Sequence, residues 1–160
     1  VNLDEIWLVI TPISPFKQAN KLTNYYTRFK IINNYCKKNS KIICSDVEFN
    51  LKPPYNTSDT LMHLNKEFPK TDFKIILGED NLNTLHSWSN HELILEHKIC
   101  VYPRKSLSKE KSKLINHPNV NLYNAPIMEI SSTLIRKNIL EKTSISHLVP
   151  KEIEEMLIEK

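Results

Sequence analysis

The stretch FKIILGED, residues 73–80, indicates the fold class, because an apolar run ends there at the only glycine of a 160-residue chain. Continuous apolar runs of this kind are typical of strands buried on both faces of a parallel sheet. The same form recurs in EIWLVI (residues 5–10), KIICSDVEF (41–49), KICVYP (98–103) and the shorter VNLY (120–123). The sequence therefore predicts strands in all five places.

Between these runs, apolar residues recur three or four positions apart, which is the spacing of one helical face. One helix should be capped near residues 57–59, another follows a run of hydroxyl residues, and Pro150 stands where a last helix can begin. The predicted faces are Tyr25, Phe29, Ile32 and Cys36; Leu61, Leu64 and Phe68; and Leu134, Ile135, Ile139 and Leu140. Alternating strands and helices predict a single α/β domain, residues 1–160, with a mostly parallel sheet.

Composition limits the classes of function. The net charge is +4, but the lysines are scattered and 18 acids offset them, which argues against nucleic acid as a partner. No apolar run approaches the roughly 18 residues that cross a bilayer, and residues 1–10 do not resemble a signal peptide. We therefore expect a cytoplasmic protein with no membrane partner.

Cys36, Cys44 and Cys100 are far apart, which predicts reduced thiols rather than disulfides.

In parallel α/β sheets, ligands bind beyond the carboxyl ends of the strands. The polar residues that follow the predicted strands are therefore the candidate site. They are Thr11 with Lys17, Gly78 with Asp80, Arg104, and the hydroxyl residues 131–133. The single glycine among them indicates either a turn that only glycine adopts or the close approach of a ligand.

The stretch EISSTLIRKN, residues 129–138, places Ser131, Ser132 and Thr133 directly before a helical pattern. Hydroxyl residues at this position accept hydrogen bonds from the first turn of a helix and so act as a cap. The free N–H groups of the helix start, the hydroxyls and Arg136 could equally bind phosphate oxygens. Both interpretations can hold for the same residues.

Three motifs taken together resemble one protein family. ISSTLIR (residues 130–136), ILGEDNLNTLHSW (76–88) and TSDTL (57–61) are similar, in order, to motifs of the nicotinate-nucleotide adenylyltransferases of the nucleotidyltransferase superfamily. The resemblance implies a Rossmann-like fold and transfer of the adenylyl group of ATP to nicotinate mononucleotide, with Mg²⁺ and without a covalent enzyme intermediate. The products would be pyrophosphate and the dinucleotide precursor of NAD.

The resemblance also implies roles for single residues. Gly78 would let the ATP ribose approach, Asp80 would accept its hydroxyls, and Trp88 would stack on the nicotinate ring. The implied ATP-binding residues are Gly78, Asp80, Arg104, Ser131, Ser132, Thr133 and Arg136. The implied residues for nicotinate mononucleotide are Lys17, Thr57, Trp88 and Ser89, with backbone N–H groups near Thr57 and Ser89 on the carboxylate.

The family begins with a strand and a G-x-F-x-P-x-H-x-G-H segment whose histidines bind ATP phosphates, and the 160 residues contain no such segment. We therefore expect that a first βα unit of about 30 residues is missing, which would leave an unpaired strand edge. The six histidines form no recognised motif, so no catalytic residue and no metal site made of protein ligands is predicted.

Other functions stay open. The chain could be a nucleotide-binding remnant without turnover, or a related nucleotidyltransferase with another acceptor such as phosphopantetheine, although TSDTL and Trp88 argue against the latter. A tRNA-handling module is a weaker alternative, based on the Lys/Ser run KSLSKEKSK at residues 105–113. The sequence leaves the oligomeric state, including a homo-oligomer, undecided.

Overall fold

A computed structural model describes residues 2–13, 24–104 and 112–158. These residues form two compact units, which are described separately. The central unit is Pro53–Met128, and the terminal unit combines Asn2–Lys52 with Glu129–Lys160. Among the described residues, none of the helices has the length and apolar character that a membrane span requires.

The central unit is built on a parallel sheet of three strands in the order β3–β4–β5. Their bounds are Ile75–Gly78, Ile99–Tyr102 and Val120–Leu122. The middle strand β4 is the most deeply buried, with Ile99, Cys100 and Val101 at most 4% exposed. Ile75 pairs with Ile99 and Gly78 with Tyr102, so that β3 and β4 end side by side.

Short helices complete the core of the central unit. They are α2 (Thr57–Glu67), α3 (Glu79–Thr84) and α4 (His91–Leu95), with 3-10 turns at Leu85–Ser87 and Lys113–Asn116. Each helix contributes leucine or isoleucine side chains to one cluster, in which burial of apolar surface is the main stabilising term. The buried members are Leu61, Leu77, Leu82, Leu85, Ile94, Leu95, Ile99, Val101 and Val120.

Helix α2 begins close to the predicted cap. Its N-cap residue is Asn56, one position earlier than expected, and the Asn56 side chain donates a hydrogen bond to Asp59 Oδ2 at 3.0 Å. Leu61 and Leu64 are buried as the spacing predicted. The third predicted face residue, Phe68, is 41% exposed, because the helix ends at Glu67 before another turn can direct Phe68 into the core.

The terminal unit contains a parallel pair of strands, β1 (Ile6–Val9) and β2 (Ile42–Ser45). Its helices are α1 (Tyr25–Cys36), α5 (Ser132–Leu140) and α6 (Lys151–Ile158). Lys38, just after α1, forms an ion pair of 3.2 Å with Glu152 of α6. Pro150 precedes α6 as predicted, and its carbonyl oxygen accepts hydrogen bonds from the N–H groups of Ile153 and Glu154.

The prediction of an α/β fold with parallel strands is confirmed, and three local expectations besides that for Phe68 are wrong. The segment at residues 41–49 leaves the strand at Ser45, whose hydroxyl accepts from the N–H of Val47, and a 3-10 turn follows. Burial on both faces holds for β4 but not for β1 and β3, where Ile6 is 38% and Ile76 49% exposed. Leu140 is 83% exposed, because it is the last residue of α5. The single domain stays a prediction.

Candidate functional site

Three of the predicted site residues meet at the carboxyl ends of β3 and β4. Asp80 lies in the first turn of α3, directly after β3, and Arg104 follows β4 by two residues. Arg104 Nη1 donates a hydrogen bond to Asp80 Oδ2 at 3.2 Å, and the two side chains are 37% and 45% exposed. The structure thus brings a carboxylate and a guanidinium together at a strand end that a ligand can reach.

Gly78 is required here for space and not for a special backbone conformation. Its φ of −78° is one that any residue adopts. A Cβ atom at this position would lie 2.5 Å from Asp80 Oδ1 and 3.1 Å from Arg104 Cδ. Of the two explanations left open by the sequence, the strained turn is therefore excluded, and the crowding of neighbouring atoms accounts for the glycine.

Trp88 and Ser89 are neighbours in the segment that follows the 3-10 turn Leu85–Ser87, whereas Thr57 lies in α2 of the same unit. Trp88 follows the 3-10 turn Leu85–Ser87, is half-buried and packs against the apolar core, so the core interpretation of this residue has a structural basis. Ser89 is exposed beside Asn90, which adopts a left-handed conformation with φ of 49°. Thr57 is the first residue of α2, where backbone N–H groups are oriented toward an approaching anion.

The hydroxyl cluster in the terminal unit is a helix cap. Ser131 is the N-cap of α5, and its Oγ accepts a hydrogen bond from the N–H of Leu134 at 3.1 Å. Ser132, Thr133 and Arg136 are all exposed, and Arg136 Nη2 lies 3.5 Å from Thr133 Oγ1. The capping interpretation is therefore correct, and exposed donors stand at the same helix start, where the helix dipole favours negative charge.

Other predicted groups either fall outside the described residues or carry ordinary chemistry. Lys17 lies outside the described residues. All three cysteines have free thiols, and burial raises the pKa of Cys44 to about 11 and also raises the pKa of Cys36. Cys44 is consequently a protonated thiol near neutral pH and a poor nucleophile. In the described ranges, no group of three or more His, Cys, Asp or Glu could hold a metal ion.

The sequence analysis did not single out Tyr102, although the structure places it in the same cluster. A Cβ atom on Gly78 would lie 3.3 Å from Tyr102 Oη. The available signal was the position of Tyr102 as the strand-end residue before Arg104. It pointed to a site residue only once the pairing of Gly78 with Tyr102 in neighbouring strands was known.

Comparison with known proteins identifies the family to which this arrangement belongs. The sequence profile of the cytidylyltransferase-like family matches residues 1–138. A probable nicotinate-nucleotide adenylyltransferase of Flavobacterium psychrophilum is 43% identical over 153 residues, which are 95% of this chain and 79% of that protein. The probable nicotinate-nucleotide adenylyltransferase of Flavobacterium johnsoniae is 43% identical over 157 residues, which are 98% of this chain and 81% of that protein.

A solved structure agrees at the level of the fold. The nicotinic acid mononucleotide adenylyltransferase of Plasmodium falciparum, complexed with NaAD, matches with a TM-score of 0.77 and 24% sequence identity. The match covers 98% of this chain and 81% of that one, which shows the Rossmann-like nucleotidyltransferase fold. The family profile and the two bacterial relatives show that the chain belongs to the nicotinate-nucleotide adenylyltransferase family of the cytidylyltransferase-like proteins.

Proposed function

We propose that this chain transfers the adenylyl group of ATP to nicotinate mononucleotide, which yields nicotinate adenine dinucleotide and pyrophosphate. A phosphate oxygen of the mononucleotide attacks the α-phosphorus of ATP in line, and the bond from that phosphorus to the departing pyrophosphate breaks. The protein must align two polyanions and offset the negative charge that develops on the pyrophosphate. Relatives of 43% identity that are named for this activity support the assignment.

The contact between Asp80 and Arg104 beside Gly78 carries the proposal. A carboxylate offers only acceptors, which suits the hydroxyl groups of a ribose. Gly78 lets the Asp80 and Arg104 side chains lie directly against the end of β3, since a Cβ atom there would stand 2.5 Å from Asp80 Oδ1; the approach of the ribose beside it stays a prediction. Arg104 has five N–H donors and bonds Asp80 with one of them, so contact with ATP phosphates, as predicted from the sequence, is compatible with this geometry.

We assign the phosphates of ATP to the start of α5. The side chain of Ser131 caps the helix, while Ser132 and Thr133 offer hydroxyls and backbone N–H groups at its positive end. Arg136 stands one turn further along and supplies a full positive charge for the leaving pyrophosphate. Each of these groups stabilises negative oxygen atoms without taking part in a covalent bond.

We assign the nicotinate ring to Trp88 and its carboxylate to the backbone N–H groups near Thr57 and Ser89. Trp88 is half-buried, so one part of its ring packs against the core while another part is left to contact a ligand. A ring stacked on tryptophan gains about 0.5–1.5 kcal/mol beyond its buried area. Charge-assisted hydrogen bonds to the carboxylate would favour the acid form of the mononucleotide over the amide. Lys17 stays a predicted phosphate contact.

We propose that Mg²⁺ enters with ATP. Magnesium prefers oxygen ligands and commonly binds through one or two carboxylates together with substrate phosphates. Among the described residues no group of three or more His, Cys, Asp or Glu could hold the ion alone, so we expect it to arrive bound to the phosphates of ATP. Bound in this way, the ion would neutralise charge on the phosphates.

The free thiols of the three cysteines are consistent with the reducing cytoplasm, where we place the protein.

The two tryptophans of the chain allow a matched test of the acceptor. We expect Trp88→Ala to weaken binding of nicotinate mononucleotide about five- to tenfold and to leave the Kd for ATP unchanged, as measured by calorimetry. Trp88→Phe should recover part of the loss, because it keeps an aromatic face. Trp7→Phe, a change in β1, serves as the control and should bind both nucleotides like the wild type.

The same experiment separates the alternatives. If Trp88→Ala keeps full affinity for nicotinate mononucleotide, Trp88 does not stack on the nicotinate ring, and the acceptor assignment loses the residue on which it rests. If the full chain binds both nucleotides but forms no dinucleotide when they are mixed with Mg²⁺, the binding-only alternative is correct. Formation of nicotinate adenine dinucleotide and pyrophosphate in equal amounts is the result that we expect.

A further inference from the structure

The first turn of α2 has no side-chain cap, although its N-cap residue is of a type that caps well. Asparagine is among the best N-cap residues, because its side-chain oxygen accepts a hydrogen bond from the second or third N–H of the helix. At α1 this bond is formed, since Asn24 accepts from the N–H of Tyr26 at 2.8 Å. At α2 the side chain of Asn56 makes no capping bond. The same residue type therefore caps one helix and not the other.

Asp59 accounts for the difference between the two helix starts. It is the third residue of α2, and its Oδ2 accepts a hydrogen bond from the side-chain amide of Asn56 at 3.0 Å. With its amide nitrogen held by Asp59, Asn56 does not present its oxygen to the N–H groups of the turn. The first turns of α1 and α5 contain no acidic residue, and there Asn24 and Ser131 both cap.

Two N–H groups at the start of α2 have no acceptor within the described part of the chain. They belong to Thr57 and Ser58, whereas the N–H groups of Asp59 and Thr60 both bond the carbonyl oxygen of Asn56. The Ser58 side chain is fully buried, and its hydroxyl oxygen likewise has no hydrogen-bond partner among the described residues. Buried polar groups without a partner are rare, so this unfilled hydrogen-bonding capacity at one helix start indicates a functional role.

We propose that Asn56 and Asp59 are positioning residues that keep the start of α2 uncapped for the carboxylate of nicotinate mononucleotide. The neighbouring N–H groups of Thr57 and Ser58 match the two oxygens of a carboxylate, and the positive end of the helix favours its charge. A capping oxygen of Asn56 would occupy the N–H of Ser58 and compete with the substrate. The inference rests on the proposed function, since it takes nicotinate mononucleotide as the ligand of this helix start.

The uncapped turn also bears on the choice between the acid and the amide form of the mononucleotide. An amide has one oxygen and one NH2 group, so it can accept from only one of two adjacent N–H donors. A carboxylate accepts from both and carries the charge that the helix end favours. The pair of Asn56 and Asp59 therefore contributes to the preference for the acid.

Asp59→Ala tests the proposal, because it releases the Asn56 side chain to cap α2 as Asn24 caps α1. In calorimetry we expect the Kd for nicotinate mononucleotide to rise about three- to tenfold and that for nicotinamide mononucleotide to change less than about twofold. Loss of a negative charge would by itself strengthen the binding of an anion, so weaker binding of the acid cannot be an effect of charge. Asp59→Asn keeps an oxygen acceptor for Asn56 and should retain the wild-type preference for the acid.

Two further variants separate the cap from other effects of the substitution. In Asn56→Gly no side chain is left to cap α2, so adding Asp59→Ala to Asn56→Gly should not weaken the acid further. Asn24→Ala removes the cap that α1 does have and is the matched control. It should lower the melting temperature by about 2–4 °C and leave the ratio of the two Kd values unchanged.

The outcomes distinguish this inference from the proposed function. If the wild type prefers the acid and Asp59→Ala keeps that preference in full, the proposed function stands and the role of Asn56 and Asp59 is wrong. The role is also wrong if Asp59→Ala weakens the acid equally in the wild-type and Asn56→Gly backgrounds. If the wild type binds neither mononucleotide, both proposals fail.

Discussion

The central unit and helix α5 of the terminal unit support their candidate site residues in different ways. In the central unit, nine apolar residues form one buried cluster. Gly78, Asp80 and Arg104 lie at or just after the ends of strands that belong to it. In α5 no residue is buried, and the start of the helix is fixed by the Ser131 cap. The first group stands on packed strands and the second on an exposed helix.

This difference agrees with the chemistry that each group is proposed to perform. Hydrogen bonds to sugar hydroxyls need donors and acceptors held to within about half an ångström, which strand ends in a packed core can provide. Phosphates are bound by charge and by the N–H groups of a helix start, which depend less on exact position. We therefore expect substitutions in the buried core to affect folding and substitutions beside Gly78 to affect nucleotide binding. Substitutions at the start of α5 should have modest effects on both.

The largest effect should come from the core of the central unit. Leu85 is fully buried, so Leu85→Ala should lower the free energy of unfolding by about 2–5 kcal/mol through lost burial and the cavity left behind. Leu140→Ala is the matched control in α5, where the side chain is 83% exposed, and should change stability by less than about 0.5 kcal/mol. Urea denaturation measures both. A similar cost for the two variants would contradict the contrast between the units.

The next effect concerns the space above Gly78. Gly78→Ala places a Cβ atom 2.5 Å from Asp80 Oδ1, so the carboxylate must shift, and we expect the Kd for ATP to rise about ten- to a hundredfold. A double-mutant cycle with Asp80→Ala sharpens the test. In the Asp80→Ala background, Gly78→Ala should raise the Kd for ATP much less, because no carboxylate remains to be displaced. An equal rise of the Kd in both backgrounds would mean that Gly78 acts independently of Asp80.

A smaller effect should follow from removing the cap of α5. Ser131→Ala leaves the N–H of Leu134 without its acceptor and should lower the free energy of unfolding by about 1 kcal/mol. Ser132→Ala, at the exposed first position of the helix, should change stability by less than about 0.5 kcal/mol. Thermal unfolding without and with ATP separates the cap from phosphate binding. If ATP stabilises the Ser132→Ala protein as strongly as the wild type, the hydroxyl of Ser132 does not bind phosphate.

The elements of the fold could be predicted from the sequence because their patterns are local. An apolar run that ends at Gly78 predicts a strand, and the hydroxyl residues before an apolar helical face predict the start of α5. The end of β2 at Ser45 was missed, since a serine followed by valine does not reveal that its hydroxyl will accept the N–H of Val47. Leu140 fits a helical face by spacing and is exposed only because α5 ends there.

The detail of the site could be predicted only in part, because it depends on contacts between distant residues. Asp80 and Arg104 were recognised singly, as residues after strand ends. Their ion pair joins positions 24 residues apart and requires β3 and β4 to be neighbours. Tyr102 was missed for the same reason, since only the register of the two strands places it beside Gly78. Strand order and register are properties of the folded sheet rather than of any one segment.

The smallest effect lies at α6 of the terminal unit and depends on pH. The N–H at the start of α6 and Lys38 hold the pKa of Glu152 below its ordinary value, so ionised Glu152 stabilises the fold. For a carboxyl with a lowered pKa, this contribution is fully present above the ordinary glutamate pKa of about 4.3 and is lost as the pH falls through the folded-state value. Glu152→Gln should therefore melt slightly below the wild type at pH near 7, and the two melting temperatures should converge in acid. Glu155→Gln removes a looser and more exposed pair with Lys151, at 3.9 Å, and is the matched control, which should melt like the wild type at pH near 7.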